Sequence, residues 1–135
     1  MITELVKNWL IKANNDILIS INELELPENK IVTDGVCFHC QQAVEKFFKA
    51  YLISKEIEFP KTHNLELLQQ LCTLQFPDFK KIELSNLSDF AVDVRYGSEF
   101  YLPSIQEAKE SFELASNVKK FVLNILNVKE EDLKI

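Results

Sequence analysis

Glycine occurs only twice and proline only four times in 135 residues, where average usage would give about 7% and 5%. Hairpin turns and barrel corners consume both residues, so the scarcity argues against an all-β fold. The two glycines, Gly35 and Gly97, stand too far apart for a glycine-rich phosphate loop. There are three cysteines, Cys37, Cys40 and Cys72. An odd count without a charged, apolar leader reads as reduced thiols in a cytoplasmic protein. No apolar run reaches the roughly 18 residues of a membrane span. Histidine is limited to His39 and His63, which leaves few side chains that titrate near neutral pH. Basic surplus is missing too. Fifteen Lys and Arg face 21 Asp and Glu, a net charge of −6, and this disfavours general nucleic-acid binding without excluding a local basic patch.

What is present is a helical pattern. Hydrophobic residues make up 47% and charged residues 27%, ordinary for a globular domain. From Ile2 to Leu24 the apolar and small residues fall within about 120° of helical arc. Pro27 and Asn29 mark a connection. A second helix is expected from Asp34, as N-cap, to about Glu56. Pro60 and the run Lys61-Thr62-His63-Asn64 lead into a third, Leu65 to Leu74, capped by Thr62 or Asn64. Pro77 breaks the chain again, and a fourth helix fits Ile82 to Tyr96, ending at Gly97. Ser104-Ile105-Gln106-Glu107 is a capping box. It opens a fifth helix to about Val128 with Ala108, Phe112, Ala115, Val118, Val122, Ile125 and Leu126 inward. Lys129 to Ile135 should fray. The expectation is one all-α domain over residues 1–135, an up-and-down bundle of four or five helices.

The second helix has two faces. Val36, Cys40, Ala43, Val44, Phe47, Ala50 and Tyr51 share the core side, with Cys37 and Phe48 at its margin. Phe38, Gln42, Glu45, Lys46, Lys49 and Ile53 share the other, in rows at i, i+4 and i+7. One reading is a solvated face with two stray apolar residues. The other is a contact face, with Phe38 and Ile53 as anchors and Gln and Lys as rim. Ile11 and Leu18, on the outer side of the first helix, also ask for cover, which a homodimer would supply.

The stretch Cys37-Phe38-His39-Cys40-Gln41-Gln42-Ala43-Val44-Glu45-Lys46-Phe47-Phe48-Lys49-Ala50-Tyr51-Leu52 resembles the HEPN domain family (higher eukaryotes and prokaryotes nucleotide-binding). Lys61-Thr62-His63-Asn64-Leu65 is similar to that family's Lys-Thr-His-Asp/Asn-Leu turn. Trp9, Ala13, Asp16 and Ile17 resemble its first helix, and Val94-Arg95-Tyr96 its Arg-Tyr segment. The likeness covers essentially the whole chain. It implies a dimerising four- or five-helix bundle, often encoded beside or fused to a minimal nucleotidyltransferase, frequently as a toxin–antitoxin pair. Many members are metal-independent ribonucleases that use Arg, four to six residues, then His. There His would serve as general acid/base and Arg would stabilise phosphate charge. Here no histidine follows Arg95, and Glu99 or Tyr101 would be the only stand-ins.

Other constellations have competing readings. Cys37-x-x-Cys40 with His39 between could offer two ligands to zinc, but no second ligand pair completes a tetrahedral site. Buried apolar thiols are the alternative. His63 either holds its turn through backbone hydrogen bonds or lines a polar pocket with Lys61. Arg95 either pairs with a carboxylate such as Glu45, with Asp93 nearby, or faces phosphate alongside Lys46 and Lys49. The expectation is a non-catalytic, HEPN-like homodimer without cofactor or metal. It would bind a nucleotidyltransferase partner or a nucleotide-like ligand through Phe38, Gln42, Lys46, Lys49, Lys61, His63, Arg95 and Tyr96. The alternative is a ribonuclease with a degenerate Arg-x(4–6)-His motif, acting on RNA.

Overall fold

A computed structural model describes residues 2–90 and 101–133. These residues form helices α1 (Glu4–Leu24), α2 (Thr33–Ser54), α3 (Leu65–Gln75) and α4 (Ile105–Leu126). Single 3-10 turns lie at Glu28–Lys30, Pro77–Lys81, Leu87–Phe90 and Glu130–Leu133. No strand occurs among the described residues, and no helix there is long and apolar enough to cross a membrane.

α1 begins where the Thr3 hydroxyl accepts the Val6 N–H at 3.2 Å, satisfying one orphan donor of the first turn. Its buried stripe is Val6, Leu10, Ala13, Ile17 and Ser20. Ile11 packs against the core instead of needing outside cover, whereas Leu18 is 46% exposed. α2 is the axial element, flanked by α1, α3, α4 and the Leu87–Phe90 turn. All nine residues assigned to its core side and margin are buried. Its cap differs from the expectation. Val32 is the N-cap residue and gives no side-chain bond, and Asp34 lies inside the first turn, where its charge suits the helix dipole. Ile53, expected as an outer anchor, is partly buried on the core. It shares the far end of the bundle with Ile2, Val6, Ile125 and Leu126.

The connection after α2 carries the chain back along it. Phe59 lies 5.8 Å from the Lys49 ammonium, and His63 reaches the level of Gln41 and Glu45. α3 then sets off beside the middle of α2, with the Cys72 thiol donating to the Phe48 carbonyl at 3.7 Å. Of the two cap candidates Asn64 is the one used, its Oδ1 accepting from the Leu67 N–H, whereas Thr62 Oγ1 accepts from the Asn64 N–H ahead of the helix.

The helix expected over Ile82–Tyr96 is not formed in its first half. Ile82–Leu84 has no regular secondary structure, residues 85–86 turn, and Leu87–Phe90 is a 3-10 turn. The Gln69 amide holds this loop by donating to the carbonyls of Phe79 (2.9 Å) and Ile82 (2.8 Å), and Ser85 takes a positive φ of 53°. Residues 91–97, including Arg95, Tyr96 and Gly97, lie outside the described residues.

α4 opens on the complete capping box. Ser104 Oγ accepts from the Glu107 N–H and Glu107 Oε1 from the Ser104 N–H, both at 3.0 Å. Ser104→Ala should therefore cost about 1 kcal/mol of stability, read from urea unfolding. Phe112, Ile125 and Leu126 are partly rather than fully buried, while Ser111 and Leu123 are buried. Over its described residues, 129–133, the C-terminal segment does not fray as expected. Asn127 closes α4 in the left-handed region at φ 57°, and Leu133 returns to the core with 4% exposure. Glu130 pairs with Lys119, which ties the final turn to α4.

Candidate functional site

A charged residue on a buried face requires a partner, and α1 and α2 each carry such residues. Asp16 is 6% exposed on the buried side of α1. Its two oxygens are shared between α2 side chains: His39 Nδ1 donates to Oδ1 at 2.8 Å and Lys46 Nζ to Oδ2 at 2.7 Å. A carboxylate can only accept, so His39 carries its proton on Nδ1.

Glu45, 4% exposed on α2, repeats the arrangement. Lys49 Nζ donates to Oε2 at 3.0 Å and His63 Nδ1 to Oε1 at 2.8 Å. The fully buried Gln41 lies beside it. Its Nε2 donates to the His63 backbone carbonyl at 3.1 Å and approaches Glu45 Oε1 at 3.5 Å. Gln42 Nε2 in turn donates to Gln41 Oε1 at 2.7 Å. The result is a polar seam running from α1 across α2 to the turn before α3. Its charges nearly cancel, with Asp16 and Glu45 set against Lys46 and Lys49.

The seam sorts the expected site residues. Phe38, Gln42 and Lys46 are half-buried along the outer row of α2. Phe38 meets the His39 ring edge-on at 5.4 Å. Lys49 does not lie on an exposed face; it is 8% exposed and paired with Glu45. That row is therefore neither fully solvated nor fully open. The i, i+4 spacing of Lys49 from Glu45 makes the ion pair, and the Lys49 ammonium also lies over the Phe59 ring. His63 works through both its ring, on Glu45, and its carbonyl, from Gln41, and Lys61 is exposed. Arg95 and Tyr96, with the suggested Arg95–Glu45 pairing and Asp93, lie outside the described residues.

Sequence reasoning did not place Asp16, His39 or Gln41 in the site. For Asp16 a signal existed: it stands between Ala13 and Ile17 on the apolar stripe, where an unpaired carboxylate would be costly. For Gln41 there was none, because a buried amide and a solvated one look alike in sequence.

The chain matches the family model for the HEPN domain over residues 6–126. It belongs to the HEPN domain family. No curated protein and no solved structure gave a match. The two sequence blocks that carry the HEPN likeness, Gln41–Lys46 and Lys61–Leu65, are joined physically. Glu45 and Gln41 from the first hold the ring and the carbonyl of His63 from the second.

The remaining chemistry of this HEPN chain lies elsewhere. Cys37 and Cys40 are buried, and burial raises their thiols to about 11 and about 12. The Cys40 thiol donates to Ser20 Oγ at 3.5 Å, and Ser111 Oγ donates to Cys37 Sγ at 3.6 Å. Both therefore behave as neutral packing groups. Among the described residues no three His, Cys, Asp or Glu side chains are grouped to hold a metal ion. Tyr101 donates to the Glu107 carboxylate. That bond raises the phenol above its usual range and lowers the carboxyl, the wrong direction for a proton donor near neutral pH. Glu99 is outside the described residues. The larger grooves do not touch the seam. One of ≈ 720 Å³ lies between α3 and the Ile82–Ser85 loop, and one of ≈ 560 Å³ between that loop and α4.

Proposed function

We propose that this HEPN domain is a non-catalytic binding module. It acts as a homodimer and receives a nucleotide-like ligand, or a minimal nucleotidyltransferase presenting one, on the outer row of α2. Phe38, Gln42 and Lys46 form the contact strip. Lys61 and His63 flank it, Arg95 and Tyr96 join the contact set on the family likeness alone, and buried Lys49 supports it from below. The observation that carries the reading is the seam itself. It spends two carboxylates, two histidines and a buried glutamine on fixing the α2 row, yet leaves Gln42 and Lys46 partly accessible. Rigid support under a few accessible polar groups is the arrangement a binding surface needs. The non-catalytic part of the reading rests on the sequence, where no histidine follows Arg95. A place in a toxin–antitoxin-type pair accords with the family likeness.

Isothermal titration with AMP tests the ligand. Saturable binding is expected, weakened several-fold by Lys46→Ala, and no heat at millimolar AMP would overturn it. Light scattering tests the assembly, where a strict monomer at high micromolar concentration would remove the dimer. RNA cleavage in chelator that disappears in Arg95→Ala would replace the binding module with a ribonuclease.

A further inference from the structure

The seam fixes more than the position of Gln42; it fixes which end of its amide is offered. A backbone carbonyl can only accept hydrogen bonds. The group of Gln41 facing the His63 carbonyl at 3.1 Å must therefore be its NH₂. The Glu45 carboxylate oxygen 3.5 Å from the same nitrogen enforces the same choice. Gln41 is fully buried and has no water to turn toward. Its oxygen is left facing Gln42, and at 2.7 Å that oxygen needs a donor. The NH₂ of Gln42 is accordingly turned toward Gln41. Its carbonyl oxygen points away, with no hydrogen-bond partner among the described residues. The relay runs from the His63 carbonyl through two amides to one acceptor on the half-buried outer row.

We infer that Gln42 Oε1 reads an N–H donor on the ligand, and that the ligand is a nucleobase bearing an exocyclic amine. This rests on the nucleotide-binding reading above and names the part of the nucleotide that is recognised. Two features favour the base over the phosphate as the part that is read, and a third sets the direction of the nucleotide along the strip. Asp16 and Glu45 already offset Lys46 and Lys49, so the seam presents no net positive charge to a phosphate. Phe38 stands one helical turn before Gln42, about 6 Å along the axis, and an aromatic ring is a stacking surface for a base. Lys46 stands one turn after Gln42 and has one of its three N–H groups committed to Asp16. The strip therefore runs ring, acceptor, cation, in the order of a base followed by its sugar-phosphate.

The test compares AMP with purine riboside 5′-monophosphate, which is AMP without the 6-amino group, by isothermal titration to the parent protein and to Gln42→Leu. AMP is expected to bind the parent about tenfold more tightly, the usual consequence of leaving one oriented acceptor unpaired. In Gln42→Leu the difference between AMP and the des-amino nucleotide should disappear. Equal affinities in the parent would overturn the amine reading while nucleotide binding stood. A preference that survives in Gln42→Leu would overturn the assignment to Gln42. No binding of either nucleotide at millimolar concentration would remove the nucleotide reading itself, and the inference with it.

Discussion

Glu45→Ala is expected to lower stability by about 3–5 kcal/mol, because it leaves the Lys49 ammonium buried without its counter-charge. The two side chains are 6% and 9% exposed and 3.0 Å apart, so water cannot replace the lost partner. The same change strips the His63 ring of its acceptor and removes the carboxylate beside the Gln41 amide. For a domain of this size the loss corresponds to a melting point roughly 10–20 °C lower. The companion variant separates the charge effect from packing. Glu45→Leu combined with Lys49→Met removes both charges and keeps most of the volume. It should recover more than half of the single variant's loss, since replacing a buried ion pair by apolar residues is often neutral. Urea unfolding of parent, single and double variants reads all three values. A single variant within about 1 kcal/mol of the parent would mean that the seam does not hold the α2–α3 turn in place.

The three thiols should be nearly inert in the folded protein. A thiolate, not a thiol, attacks an aromatic disulfide reagent. Burial moves Cys40 and Cys72 from 9.0 to about 12 and Cys37 to about 11. At neutral pH that cuts the thiolate fraction about a thousandfold for the first two and about a hundredfold for the third, before any steric shielding. No colour is expected from the native protein over the time in which the urea-unfolded chain titrates three thiols. The same shifts set a direction for pH. Below 9 the thiols are neutral in both states and full stability is present. Above it the unfolded chain ionises first, so stability falls as pH rises from 9 toward 12. Rapid labelling at neutral pH in the native state would contradict the buried placement of Cys37 and Cys40. It would also reopen a metal role for that pair.

How far the sequence reached depended on how local the determinant was. α1, the core side of α2, the Asn64 cap and the Ser104–Glu107 box all follow from residues within one or two turns of each other. Helical periodicity and capping are local physics, so these were legible. The helix expected across Ile82–Tyr96 is absent from its described first half for the opposite reason. Its apolar spacing is compatible with a helix, but Gln69, ten residues before Phe79 and thirteen before Ile82, takes their carbonyls for itself. Leu133 shows the same limit. A short charged tail reads as frayed until Lys119 is seen to hold Glu130 and the core to receive the leucine.

The sequence alone determined that this chain is an all-helical HEPN domain, and that the outer row of α2 holds Phe38, Gln42 and Lys46. Spacing along one helix dictates which side chains share a row, whatever packs around it. Only the tertiary structure decided what lies beneath that row. Asp16 comes from α1 and His63 from the turn before α3, and neither distance from α2 is written in the local pattern. Their arrival buries Lys49, pins Gln41 and turns the Gln42 amide outward by its oxygen. Such orientation arises because a buried amide must satisfy both of its ends, and the groups that satisfy them come from elsewhere in the chain.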